Sequence, residues 1–288
     1  MPDSAQRPGS ADRLVSGARP VVSGATAARV TRVAVERPTG FGAPVRVRTS
    51  DGLLAARLIS RDGAHAEVAL VAGGAMLLGG DHVVVSVQVD PGCALTLTDV
   101  GGTVAYDGDG QECRWDADVR LGPGAHLTWA GLPFVVARGA DVRRTTTARL
   151  GPGARLDLRE TVVLGRSGEH GGRVLLRTDI ADDVGPILVE ELTAAGGQPV
   201  PGVLGGHTVI DTLTAVQGTT DESPDAPGPG TGPAADPRDP PGPGDAVTLL
   251  LERGGTLTRW LGPATHLSPL ESTARGQESR PDEYPEDT

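Results

Sequence analysis

The amino-acid sequence predicts an all-β (mainly β) fold, with many short strands wound into a single β-solenoid-like body and few short helices. Three observations carry the prediction. Of 288 residues, 42 are Gly and 24 are Pro, so more than a fifth of the chain is turn-forming, which suits short strands better than long helices. The apolar residues fall in short alternating runs, and no stretch holds a helical stripe for three turns. A turn-and-strand unit also recurs three times.

In chain order, strands are expected over 30–36, 45–49, 66–71, 83–89, 94–98, 115–119 and 142–150. These runs are rich in β-branched residues or alternate, and most are bounded by Gly, Pro or Asp. Trp115-Asp116-Ala117-Asp118-Val119 sets its apolar residues on one face and its acids on the other. The segment 186–195 (PILVEELTAA) fits a short helix and a strand almost equally. The repeat starts at Asp90-Pro91-Gly92-Cys93, again at Gly122-Pro123-Gly124-Ala125 and again at Gly151-Pro152-Gly153-Ala154, at spacings of 32 and 29 residues. Pro at the second position presets φ, and Gly at the third supplies the positive φ of a type II turn. Each turn then launches an alternating strand, a pattern that predicts stacked β units.

Three segments are predicted to be disordered: 1–28, the Pro/Gly-rich insert 219–245, and the acidic tail 271–288. The insert holds eight Pro and five Gly in 27 positions, too little apolar surface to offset its ordering entropy. Residues 246–270 turn apolar again, so the insert reads as a loop before a last pair of strands. The folded body is expected to be one domain over 29–270.

The 26 basic residues are all Arg, because the chain has no Lys, and it has no Asn. Missing Lys excludes Schiff-base chemistry and a Walker A loop, and missing Asn excludes N-glycosylation. The net charge of −11 lies mostly in the insert and tail, which gives no basis for nucleic-acid binding. The densest basic spot, Arg143 and Arg144 with Arg138 and Arg149, reads as an ordinary solvated face. No run approaches 18 apolar residues and the N-terminus lacks an apolar leader core, so a cytoplasmic protein without a membrane span is expected. Cys93 and Cys113 are expected to be free thiols.

Motifs for chemistry are sparse. The six His (65, 82, 126, 170, 207, 266) show no metal-ligand spacing. Gly165-Arg166-Ser167-Gly168-Glu169 breaks the nucleophile-elbow pattern at its last position. The paired carboxylates Asp182-Asp183, Glu190-Glu191 and Asp116/Asp118 read as solvated acids. No enzyme site is expected.

Three ordered segments resemble the UreD (UreH) urease accessory protein family, in a lysine-poor, high-GC form. The first is Gly73-Gly74-Ala75-Met76-Leu77-Leu78-Gly79-Gly80-Asp81-His82, with the valine strand and Pro91-Gly92 that follow. The second is Leu97-Thr98-Asp99-Val100-Gly101-Gly102-Thr103-Val104-Ala105-Tyr106, where Val100 and Val104 replace the Gln and Lys of the family pattern. The third runs from Pro152-Gly153-Ala154 through Glu160 and Leu164-Gly165-Arg166 to Gly168-Glu169, with a shortened gap before Gly-Glu. Pro201-Gly202-Val203-Leu204-Gly205-Gly206-His207 also fits, and the resemblance spans about 30–270.

The resemblance implies a non-catalytic adaptor that binds apo-urease subunits and a UreF-like partner, which recruits a UreG-like GTPase. It further implies support for nickel delivery to the urease metallocentre, with no tightly bound cofactor in this chain and Ni²⁺ present only in passage. Such passage needs weak, successive O or N ligands. Asp81, Glu160 and Glu190 are the candidate steps, with His207 as an imidazole step. Each has a structural alternative: Asp81 capping a turn, Glu160 paired to an Arg, Glu190 facing solvent. The competing functional class is a generic β interaction module without a metal role.

Overall fold

The computed structural model describes residues 28–270 apart from 38–39, 41, 75, 198–202 and 221–244. The predicted disorder of 1–28, 219–245 and 271–288 falls almost wholly outside the described residues. The chain opens with β1 (Arg29–Glu36), β2 (Arg46–Ser50), β3 (Leu54–Asp62) and β4 (His65–Ala72). Successive coils then follow: β5 (His82–Val89), β6 (Ala94–Val100) and β7 (Thr103–Ala105); β8 (Glu112–Leu121), β9 (His126–Ala130) and β10 (Phe134–Val136); β11 (Asp141–Leu150) and β12 (Arg155–Leu164). A fourth coil begins with β13 (Arg173–Asp182) but turns back as the hairpin strand β14 (Pro186–Ala195). The described chain closes with β15 (Val209–Gln217), β16 (Val247–Leu250), β17 (Thr256–Gly262) and a 3-10 turn, Thr265–Leu267.

The strands form a β-solenoid of about four turns with two main sheets. One sheet runs β14-β13-β11-β8-β5-β1-β2, and the other runs β16-β17-β15-β12-β9-β6-β4-β3. The inner strands of both are parallel, and antiparallel strands close the two ends. β7 and β10 pair in parallel with each other, and β10 pairs with the end of β12. The segment 186–195 is a strand: it completes an antiparallel edge against β13, and that pairing overrides a local preference compatible with helix.

The three predicted turns stack. Gly92, Gly124 and Gly153 have φ of 65°, 63° and 66°. Cys93, Ala125 and Ala154 each close a turn by donating their N–H to the carbonyl three residues back. The turns also bond to one another. Gly92 N–H donates to Pro123 O (2.9 Å), Gly124 N–H to Pro152 O (2.9 Å), and Gly153 N–H to Gly218 O (3.1 Å). The repeat is therefore a ladder that sets the coil height.

Alternation buries Val83, Val85, Val87 and Val89 of β5 against Leu95 and Leu97 of β6 and their counterparts in later coils, within one continuous core. The outer face of the second sheet is covered at its C-terminal end by the chain after β17. There Asp211, fully buried, accepts from Arg159 Nε and Nη2 (3.1 and 2.8 Å), from Thr161 Oγ1 (2.9 Å) and from Ser268 Oγ, beside Trp260 and Leu270.

Candidate functional site: a polar band between the sheets

Among the described residues, several charged and hydroxyl side chains facing the interior fall along one band that crosses the strands. In the second sheet Glu160, Thr212 and Arg259 are register partners on β12, β15 and β17. Asp99 lies on the same side at the end of β6, one step beyond the paired Thr98, Ala130 and Arg159. Opposite them, Thr146 of β11, Thr178 of β13 and Glu190 of β14 form a register row, with Arg144 one inward position earlier on β11.

Charges inside a sheet sandwich must be paired and hydrogen-bonded, and these are. Arg144 donates from Nε and Nη2 to Glu160 Oε1 at 3.1 and 2.9 Å, and Thr146 Oγ1 donates to the same oxygen at 3.0 Å. The Arg144 guanidinium carbon lies 5.0 Å from the Phe134 ring centroid and 5.5 Å from that of Trp115, two rings in edge contact with each other. A planar guanidinium can bond in its plane and stack on its faces, which an ammonium cannot do. Arg259 makes a fork to Glu190 (2.7 and 2.6 Å) and donates from Nε to Thr212 Oγ1 at 3.2 Å. Between the two pairs lies a cavity of about 30 Å³ lined by Arg144, Glu160, Thr178, Glu190, Thr212 and Arg259 among others, with room for about two waters.

Side-chain exposure falls to 12% and 18% at Arg144 and Glu160 and rises to 23% and 31% at Arg259 and Glu190. The Arg144–Glu160 pair is therefore the more deeply buried of the two. Half-buried Asp99, at the end of β6, accepts from Trp129 Nε1 (3.3 Å) and Leu132 N–H (3.1 Å). Burial raises the Asp99 pKa, and these bonds and the Arg144 charge oppose that rise without cancelling it.

Of the four candidates, the structure brings Glu160 and Glu190 together in the cavity. Asp81 lies elsewhere. It accepts from Leu78 N–H (3.0 Å), and its own N–H donates to Leu78 O, so it fixes the turn into β5. His207 is half-buried in the turn before β15, its backbone N–H on Leu204 O, and it does not line the cavity. The basic spot needs correction: Arg143 and Arg149 are exposed, but Arg144 turns inward. Asp182 is not a solvated acid either, since its side chain is 4% exposed and bonded to Arg253. Sequence reasoning missed Asp99, Arg144 and Arg259. The signal available was a charged residue in phase with buried neighbours, as in Leu95-Leu97-Asp99 or Val142-Arg144. Among the described residues, no group of three His, Cys, Asp or Glu is placed to hold a metal. The two thiols are free and buried, and burial pushes Cys113 up to about 11.

The motif segments are structural. A Cβ at Gly79 would lie 2.6 Å from Gly108 O, so these two loops can cross only as glycines. Leu77 beside them takes φ 60° while fully buried. Glu169 folds the 165–169 loop by accepting from Arg166 Nε and backbone N–H, both at 2.9 Å.

Coiled sheets around an apolar core crossed by one band of paired charges define a protein of the β-solenoid class. The family model for the UreD urease accessory protein matches residues 28–268, and the chain belongs to that family, whose members are accessory proteins and not enzymes. It is 42% identical over 188 residues to urease accessory protein UreD 1 of Streptomyces griseus, covering 65% of this chain and 74% of that protein. It is 35% identical over 181 residues to the UreD of Streptomyces avermitilis, 61% and 72% of the two chains. It is 37% identical over 171 residues to the UreD of Frankia alni, 52% and 57% of the two chains.

Proposed function

We propose that this chain is a cytoplasmic adaptor that binds apo-urease and a UreF-like partner, with a UreG-like GTPase recruited through that partner, and supports nickel delivery to the urease metallocentre. The polar band carries this reading. It places Glu160 and Glu190 in one cavity and Asp99 on the same side of the second sheet as Glu160. Oxygen donors spaced along a narrow interior suit a hard-to-intermediate cation in passage, since single carboxylates hold it weakly and release it. Nickel is cargo here, and the GTP hydrolysis belongs to the partner.

The guanidiniums of Arg144 and Arg259 favour a second reading, in which the band only holds the sheets together and the chain is a β interaction module. One experiment separates the two. Urease is co-expressed with its other accessory proteins at a low fixed nickel level, with and without this chain, and bound nickel and co-purifying proteins are measured. Loss of nickel and activity without the chain, with apo-urease and the UreF-like partner recovered on it, supports the adaptor. Fully active urease without it, and nothing recovered on it, overturns the adaptor.

A further inference from the structure

The two ends of the solenoid differ in charge. The outermost strands are β2 and β3 at one end and β14 and β16 at the other, one from each sheet. Residues 46–62, which hold β2 and β3, carry four Arg and two Asp, a net charge of +2. Residues 182–195 and 245–253, which hold β14 and β16, carry six acids and one Arg, a net charge of −5. Ion pairs within the chain leave this imbalance open. Among the described residues, Arg46 has no carboxylate partner and Arg61 donates only to Val45 O. Asp183 and Glu252 likewise have no basic partner there, and Glu191 reaches Arg177 only at 3.5 Å.

Both ends also expose apolar side chains. Leu58 and Ile59 of β3 are 45% and 58% exposed, and Leu249 and Leu250 of β16 are 55% and 82% exposed. An open strand edge of this kind is a template for another chain, and the charges along it decide which chain it accepts. Two basic ends repel each other, as do two acidic ends. Only a basic end against an acidic end is favourable.

We propose that a second copy of this chain docks head to tail, the basic β2/β3 end of one molecule seating on the acidic β14/β16 end of the next. Each of the two sheets then continues across the contact, since β2 and β14 end one sheet and β3 and β16 end the other. The two surfaces are unlike, so the contact is heterologous and repeats as an open series unless its rotation closes a ring. The proposal does not rest on the adaptor reading.

The test is sedimentation velocity on the purified full chain. At about 0.05 M NaCl the weight-average mass is expected to rise about two-fold or more between roughly 1 and 100 μM protein, by mass action. At about 0.5 M NaCl, where the Debye length is a few ångströms, most of that rise is expected to vanish. Two charge-reversal variants assign the contact: Arg46→Glu with Arg61→Glu, and Asp183→Arg with Glu191→Arg and Glu252→Arg. Each reversal shifts the local charge by two, so the basic end becomes −2 in the first and the acidic end +1 in the second. Either variant alone then carries like charge at both ends and should stay monomeric, whereas an equimolar mixture should associate again. Association undiminished at high salt, or in either variant alone, overturns the proposal, as does a mixture that stays monomeric. A parent that stays monomeric at low salt also overturns it. If the variants then lose recovery of apo-urease or the UreF-like partner, the ends serve those proteins instead. Should a variant fail to fold, the salt series on the parent decides.

Discussion

Arg253 ties the last coil to the closing hairpin through Asp182: its Nη2 donates to both Asp182 oxygens, at 2.8 and 2.9 Å, while its Nη1 donates to Gly185 O at 2.7 Å. The Asp182 carboxylate also accepts from Val184 and Gly185 N–H and from Thr219 N–H and Oγ1. The β13–β14 turn, the end of β15 and the β16–β17 turn thus share one carboxylate. Replacing Asp182 by Ala removes the carboxylate partner of Arg253, which keeps Gly185 O and Thr219 Oγ1, and strands three backbone donors. With Arg253 24% exposed, the loss is discounted to about 2–3 kcal/mol. A denaturant titration of Asp182→Ala against the parent measures it, and a change under about 0.5 kcal/mol would show that the junction contributes nothing beyond ordinary surface groups.

The same carboxylate makes the fold acid-sensitive. Burial raises the Asp182 pKa, but the hydrogen bonds from Thr219 and Arg253 outweigh it, so the folded-state pKa is lowered. Arg166 likewise holds Glu169 down, from 4.5 to about 2. A depressed carboxylate stabilises fully above its unfolded pKa and loses that contribution as pH falls toward its folded value. Asp99 has the opposite sign: its raised pKa disfavours folding above the unfolded value. Thermal melts from pH 6 down to pH 2 should therefore show a steep loss below about pH 4.5. Glu169→Gln should flatten part of that limb, whereas Asp99→Asn should leave neutral-pH stability equal or slightly higher. A parent whose melting point is flat between pH 5 and pH 2.5 would contradict these assignments.

The solenoid was legible because its signals are local. Pro-Gly turns at near-constant spacing and alternation in the strands they launch specify both the coil and its inward face. The phase of Leu156, Leu158 and Glu160 already marks Glu160 as an inward carboxylate. Its partner was hidden for a different reason. Four Arg close in sequence read as one basic face, although alternation sends Arg144 inward with Val142 and Arg143 outward. Pairing across the sheets is set by coil stacking, so Glu190 meets Arg259 across 69 residues, a relation no local window contains. Asp182 was misread because an acidic pair in a turn looks solvated until the closing hairpin is placed beside it.

The turn ladder separates two kinds of glycine. Gly124 has φ 63° and open space where a Cβ would stand, so Gly124→Ala should cost about 1–2 kcal/mol through the left-handed backbone alone. Gly124→Asn should cost less, since Asn tolerates that conformation. At Gly151 a Cβ would lie 2.7 Å from Pro123 N and 2.9 Å from Gly122 C in the neighbouring turn. Gly151→Ala must push two coils apart and should cost upwards of about 2 kcal/mol. Equal losses at the two sites, measured by denaturant unfolding, would mean that the turns are not held in contact.

Glu160→Ala is a poor probe of nickel passage, because it removes the partner of a guanidinium that is only 12% exposed. Breaking a buried pair from one side costs about 3–5 kcal/mol, whereas replacing both partners with apolar groups of similar volume is often neutral or stabilising. Glu160→Ala is therefore expected to destabilise the chain by about 3 kcal/mol. Arg144→Met alone should cost less, because Glu160 Oε1 keeps the Thr146 hydroxyl at 3.0 Å and Met fills the space against Trp115 and Phe134. The double variant Arg144→Met, Glu160→Leu should recover most of the stability, giving a coupling energy of about 2 kcal/mol in a double-mutant cycle. Additive single and double effects would mean that the pair is not coupled. With stability restored by that double variant, nickel delivery can be measured in a folded chain that lacks both the carboxylate and the guanidinium. An unchanged rate there would leave Glu160 with a structural role only.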